Sequence, residues 1–447
     1  MTNQISEPAA SPSSDASKEV EYQLPPEIIR KAVLASIIGN GLEWYDYLLY
    51  GFFAYYIKQA FFPAEDAFIS TLLVFAVFSI SFFLRPIGGI LLGIYSDRVG
   101  RKPALTLMIF MMGIATVLIA ITPSYATIGI AAPIIVILAR ILQGLSVGGE
   151  FGGATAMLVE YAPKNKRLFY GSFQMVSQAL ATVLAAGLGL LVITTLNEQQ
   201  TAQWGWRILF LLGGLIAPIG FYIRHQVPET PQFIKLKETK TISKTPIKDL
   251  FTQHPRALIA GLGLVAIGGA SNYIWFVYMT IYVVEELHLP IRMMFISDLV
   301  AGLVLLVLNF IIGRWCDRLG GWRVFVTGVI LFGACAFPLF AYVIAEPGFE
   351  RLLTVQVIGA AIMSLIWAPT PGIFAALFPA NVRATGMSLS YNTGVLLFGA
   401  VAPILLTILI KYTGDLMMPA YYIIFCACLS LILMRVAKKA IQNPYIE

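Results

Sequence analysis

The amino-acid sequence predicts an all-α polytopic membrane protein, with twelve transmembrane helices in two pseudo-symmetric six-helix bundles. Three observations carry this reading. Of 447 residues, 58% are hydrophobic and only 12% charged, against about 25% charged in ordinary soluble domains. Apolar runs of about 20 residues, the helical length that crosses about 30 Å of hydrocarbon, recur along nearly the whole chain. The charged loop Gly93-Ile-Tyr-Ser-Asp97-Arg98-Val-Gly-Arg101-Lys102 returns 220 positions later as Gly313-Arg-Trp-Cys-Asp317-Arg318-Leu-Gly-Gly-Trp-Arg323. Each copy separates two apolar runs, and recurrence at half-chain spacing marks two homologous halves. The alternating strand pattern of an outer-membrane barrel is missing.

Taken in order, residues 1–25 are rich in Ser, Pro, Ala and Glu and lack an apolar core, so they are expected to form a disordered cytoplasmic tail rather than a cleaved signal peptide. Six apolar segments near 32–57, 67–95, 104–122, 126–152, 168–196 and 205–223 make a first bundle over 26–223. The polar stretch 224–256, with Lys235, Lys237, Lys240, Lys244 and Lys248, reads as a cytoplasmic linker. Segments near 257–284, 293–313, 323–344, 351–377, 385–411 and 418–436 make the second bundle over 257–436, and 437–447 is a second tail. Lys and Arg gather in alternate loops, including the linker, Arg30 and Lys31, Arg98 and Arg101, Lys164 to Arg167, Arg314 and Arg318, and Arg435 to Lys439. That bias places both termini in the cytoplasm and the chain in a cell (inner) membrane. It also explains the net charge of +6 without a nucleic-acid groove.

The chemistry gathers in a few spans. The first helix reads Gly39-Asn-Gly-Leu-Glu43-Trp-Tyr-Asp46-Tyr47. A carboxylate at mid-bilayer costs about 2.5–3.5 kcal/mol on insertion scales, so Glu43 and Asp46 should face protein or water. Three residues apart, they share a helix face within reach of one common partner. A buried acid pair is the setting in which carboxyls take up and release protons; a structural ion pair with Arg85 or another buried base is the alternative. Arg85 lies about 15–18 Å along its helix from Asp97, near mid-membrane, where its guanidinium either grips a solute carboxylate by two parallel bonds or only neutralises Glu43 or Asp46. Arg207 follows Trp204 and Trp206 and reads as an interface anchor or a substrate ligand. Tyr47, Gln174, Ser177, Gln178, Asn272, Tyr273, Trp367, Tyr391 and Asn392 either line a cavity or make ordinary interhelical hydrogen bonds.

Other patterns exclude alternatives. Cys316, Cys335, Cys426 and Cys428 have no ligand spacing and read as packing residues. Gly148-Gly-Glu-Phe-Gly-Gly153 closes an apolar helix and follows no strand, so it is a close-packing device rather than a phosphate loop. Glu285-Glu-Leu-His288 lacks the second histidine of a zinc site, and no Walker sequence or catalytic cluster occurs. Neither cofactor, metal nor enzymatic activity is expected.

The repeated Gly-x-x-x-Asp-Arg loop resembles that of the major facilitator superfamily. Gly-Asn-x-x-Glu-Trp-x-Asp, Leu84-Arg-Pro-Ile-Gly-Gly89, Arg140-Ile-Leu-Gln-Gly144, Val147-Gly-Gly-Glu150, Trp204-Gly-Trp-Arg207 and Pro228-Glu-Thr-Pro231 are similar to its metabolite:proton symporter branch. The resemblance covers most of the first half and is looser in the second, through Phe378 to Arg383 and Met417 to Tyr422. It implies alternating access, with Asp97, Arg98, Arg101, Asp317 and Arg318 in charge networks that latch the cytoplasmic side; the plainer reading is a topology loop. It places Glu150 near that cluster and Arg140 in a helix-pairing or proton-relay position. Pro163-Lys-Asn-Lys-Arg167 is echoed by Pro379-Ala-Asn-Val-Arg383. The family's Glu three residues before that Pro is present as Glu160, but Ala376 stands in the second copy, so Arg383 is expected to pair elsewhere. The implied function is proton-coupled uptake of a small organic solute, foremost a carboxylate such as citrate or 2-oxoglutarate, with a proline/betaine-type zwitterion as the alternative. A non-transporting sensor of the same fold is the reading from another class, and a charged C-terminal coiled coil of the osmosensing kind is not seen before Glu447. Solute, proton and lipid are the expected partners of a monomer, with no nucleic acid.

Overall fold

The computed structural model describes residues 26–99, 101–148, 150–225, 246–379 and 382–436. Among them there is no strand. Hydrocarbon offers no hydrogen bonds, so each apolar run satisfies its backbone internally as a helix. Twelve segments follow in order: α1 (Pro26–Phe52), α2 (Ala67–Val99), α3 (Arg101–Ile121), α4 (Ala131–Glu160), α5 (Arg167–Thr195), α6 (Trp206–His225), α7 (Pro255–Glu286), α8 (Ile291–Leu319), α9 (Gly321–Ala345), α10 (Phe349–Leu377), α11 (Thr385–Thr413) and α12 (Met418–Val436). Nine of these, among the described residues, are long and apolar enough to cross a membrane, and Leu107–Ile121 in α3 is a shorter apolar helix. A short helix, Ala54–Phe61, prolongs α1, and α7 carries π-helical turns at Tyr273–Tyr278 and Tyr282–Glu286. Such turns frequently mark functional sites.

The packing repeats itself. In the first half α1 lies on α5 and α6, α2 on α4, and α3 on α4 and α6; in the second α7 lies on α11 and α12, α8 on α10, and α9 on α10 and α12. Between the halves the most extensive packing is α5 against α8, with α2 against α11 as its pseudo-twofold counterpart and α1 meeting α7.

Three expectations can be set against the structure. The apolar helix Ala131–Val147 ends where the glycine run begins, with Gly148 at its cap, and a second helix, Glu150–Glu160, follows within α4. The packing role of the run is plain. A Cβ on Gly148 would run into the Arg85 carbonyl oxygen, and one on Gly144 into that of Ser81, so α2 and α4 cross backbone to backbone and Arg85 is held at the crossing. Within the stretch 224–256 the described residues are mostly helical: α6 reaches His225, Pro246–Gln253 is a helix and α7 begins at Pro255. Residues 226–245 and the tails 1–25 and 437–447 lie outside the described residues. Finally, Cys316 and Cys426 are buried packing residues, but Cys428 faces outward, and all four cysteines are free.

Candidate functional site

The polar residues of α1 part company at the helix surface. Asn40 donates to the Gln174 carbonyl oxygen (3.2 Å) and to Ser177 Oγ (2.6 Å) on α5, and Gln174 Nε2 returns a bond to Asn40 Oδ1. Glu43 pairs with Arg85 Nη2 at 3.4 Å, and that guanidinium lies 4.2 Å over the Phe82 ring. Asp46, only 3% exposed, does not share this base. Its Oδ2 accepts from Gln143 Nε2 at 2.6 Å. Gln143 also donates to Thr116 Oγ1 and accepts from Arg140 Nη1 at 2.7 Å. Arg140 is itself stacked 3.7 Å above Tyr50. The expectation of one common partner for both acids is therefore corrected. Three residues on a helix turn the side chain by about 60°, which suffices to send Glu43 to α2 and Asp46 to α4. Each acid is one bond or one amide from its own arginine.

A cavity of about 40 Å³ lies between the halves. Its wall combines five aromatic rings (Trp44, Phe151, Tyr273, Trp367 and Tyr391) with Gln178, Asn272, Thr370 and apolar residues, and among the described residues it includes no charged side chain. Phe151 and Tyr391, from opposite halves, stack with centroids 3.6 Å apart. Tyr47 donates to Asn272 Oδ1 across the halves at 3.2 Å. Arg85 stands one layer behind this wall, with Phe82 packed on Tyr273 at 5.4 Å. Of the residues singled out as solute ligands, Gln178, Asn272 and Tyr391 line the cavity, Tyr47 touches it through Asn272, Gln174 holds α5 to α1, and Asn392 donates to the Gly148 carbonyl oxygen at 2.8 Å.

Polar bonds across the halves occur on both sides of this cavity. On the Lys/Arg-rich side, Asp317 of α8 accepts from the backbone N–H groups of Leu168 (3.0 Å) and Phe169 (3.2 Å); a carboxylate suits the positive end of the α5 dipole. Arg383 pairs with Glu160 of the other half at 3.0 Å. The glutamate missing at Ala376 is thus replaced by one reaching over from α4. Arg167 opens α5, and Arg318 is exposed. The side chains of Asp97, Arg98, Arg101 and Glu150 lie outside the described residues. On the opposite side, Lys58 pairs with Glu285, whose other oxygen accepts from Thr71 Oγ1 at 3.1 Å. Phe295 packs there on Phe52 and Phe53.

Arg207 is remote from the cavity. It donates to the carbonyl oxygens of Ala120 and Thr122 and lies 4.6 Å over Trp206, capping the carbonyl end of α3 as an anchor. Sequence reasoning missed Gln143, the Lys58–Glu285 bond and Asp298, a buried acid of α8 bonded by Gln356 at 3.3 Å. Only Asp298 announced itself, as a lone acid inside an apolar run.

Residues 31–248 match the family "Sugar (and other) transporter" and residues 296–444 the family "Major Facilitator Superfamily". The chain is 34% identical over 428 residues to the proline/betaine transporter of Salmonella typhimurium, covering 93% of this chain and 85% of the relative. It is 36% identical over 401 residues to the citrate-proton symporter of Salmonella typhi, covering 89% and 91%. The partially occluded inward-open xylose transporter XylE from E. coli superposes with a TM-score of 0.72 at 16% identity, over 92% of this chain and 98% of that one.

Proposed function

The chain belongs to the major facilitator superfamily, and on that premise we propose that it is a secondary active transporter that takes up a small organic solute together with protons by alternating access. The observation that carries this reading is the layered site: a neutral cavity shared by both halves, backed by an acid–guanidinium pair and by a second buried acid. Protonation of Glu43 removes the charge that holds Arg85, and the freed guanidinium can turn to a solute carboxylate. Solute and proton then favour each other's binding by linkage, with no wire between their sites. Asp46, linked by Gln143 to Arg140, supplies a second carboxylate that can take up a proton. One proton crossing about 100 mV inward releases about 2.3 kcal/mol, roughly a fiftyfold gradient of a neutral or charge-balanced solute. By the positive-inside rule the Asp317 and Arg383 bonds close the cytoplasmic side and Lys58–Glu285 the outer side.

A carboxylate is the solute group that Arg85 would bind, as citrate or 2-oxoglutarate would supply. The cavity wall favours the zwitterionic reading over a di- or tricarboxylate. Among the described residues of the wall, further carboxylates would meet no Lys, Arg or His, whereas an alkylated ammonium is held by ring faces, at about 0.5–2 kcal/mol per contact. The test is accumulation of labelled glycine betaine, proline, citrate and 2-oxoglutarate in proteoliposomes under an imposed pH gradient. Gradient-driven accumulation that a protonophore abolishes is expected, strongest for a zwitterion. Citrate taken up in preference would overturn the substrate class, and binding without counterflow of any solute would replace the carrier by a sensor.

A further inference from the structure

We propose that Asp298 is a second-half proton site, a carboxyl that is loaded with a proton in this closed form and carries it through the transport cycle. Asp298 is 1% exposed and sits seven residues into α8, about 10 Å along its axis. Among the described residues it makes no ion pair; its bond is from Gln356 Nε2 on α10, at 3.3 Å to Oδ1. A carboxylate shut away from water with only an amide for company is strongly disfavoured as an anion. The second observation is on the amide. Gln356 Oε1 is buried without a hydrogen-bond donor, and a protonated carboxyl is the donor it lacks. A carboxylic acid and a primary amide match as a pair, each giving one hydrogen bond and accepting one.

The charged and titratable groups of the surrounding elements leave this assignment intact. On α5 beyond Arg167 the only ionisable side chain is Tyr170, near the far end. On α7, Glu285 is committed to Lys58; Tyr273, Tyr278 and Tyr282 carry phenols, and Arg256 and Glu286 stand at the two ends. On α10, Arg351 is engaged with Glu346 beside Glu350, and Arg292 on α8 itself is exposed.

The proton has a route to consequence. Gln356 Nε2 also donates to the Trp275 carbonyl oxygen (3.3 Å), and Trp275 Nε1 donates back to the Gln356 carbonyl oxygen (3.4 Å). Trp275 lies in the π-helical turn that begins with Tyr273, a wall residue of the cavity. Loss of the proton would turn the Gln356 amide toward an anion and alter its hold on that turn.

The inference deepens the symport reading and rests on it for its second readout only. Infrared difference spectra of the purified protein in lipid, titrated with alkali and with no solute present, report protonated carboxyls by their carbonyl stretch. Wild type is expected to show such a band; Asp298→Asn should lose it and Gln356→Leu should shift it. In proteoliposomes, using whichever of the four solutes wild type accumulates, the maximal accumulation of Asp298→Asn should fall by about tenfold per unit of imposed pH gradient, the share of one proton. A band unchanged in Asp298→Asn overturns the proton site. A band lost while accumulation keeps the wild-type slope overturns carriage. If no solute accumulates in wild type, the symport reading falls while the infrared result still decides whether Asp298 holds a proton.

Discussion

An arginine that neutralises an acid and also grips a solute has to release one before taking the other, and that exchange is what the proposed mechanism asks of Arg85. Its 3.4 Å pair with Glu43 is buried, and removing one member of such a pair costs about 3–5 kcal/mol because the other charge is stranded. Arg85→Gln should therefore unfold at markedly lower temperature than wild type. Arg85→Gln combined with Glu43→Gln should regain most of that loss while uptake stays abolished, as thermal unfolding and transport assays on the two variants will read. A double variant no more stable than the single one would mean that the pair is not what Arg85 supports. At this scale the sequence displayed the participants but not the pairing. Two acids in an apolar helix, and an arginine deep in the next, are visible without coordinates because each is costly there. That Asp46 leans on Gln143 was hidden, since one glutamine in an apolar helix is unremarkable and its partner lies 97 positions away.

The helices bring these groups together through the α2–α4 crossing. Gly148→Ala would force a methyl group against the Arg85 carbonyl oxygen, whereas a Cβ on Gly153 meets nothing within 4 Å. Overpacking of this kind costs about 1–3 kcal/mol, so Gly148→Ala should lower both thermal stability and uptake, and Gly153→Ala should change neither. Equal behaviour of the two would show that the crossing does not position the site. Twelve apolar runs and their order could be read from hydropathy alone. The second helix of α4, Glu150–Glu160, could not, because glycines that end helices in water also permit close approach inside a membrane. The helix Pro246–Gln253 was masked for the same kind of reason: its charge matched a linker, and short helices depend on tertiary packing.

The molecule as a whole is two like bundles bonded on both sides of a shared cavity. The repeat of the Asp-Arg loop made the duplication legible, but not the bonds between halves. A repeat shows which positions correspond, not which ones meet, so Glu160 standing in for the acid absent at Ala376 appears only once the halves are docked. On the opposite side, Lys58→Ala should open the cavity. With the four native cysteines replaced, a Gly268→Cys probe, which has room for its side chain, should label several-fold faster from that side. Exchanging the charges, Lys58→Glu with Glu285→Lys, should restore slow labelling if the bond is the latch. The central claim, that protons on the first-half acids drive the rocking of these bundles, is tested most directly by comparing gradient-driven accumulation with solute exchange in Glu43→Gln and Asp46→Asn proteoliposomes. The account predicts that accumulation collapses in at least one variant while exchange persists; wild-type accumulation in both would contradict it.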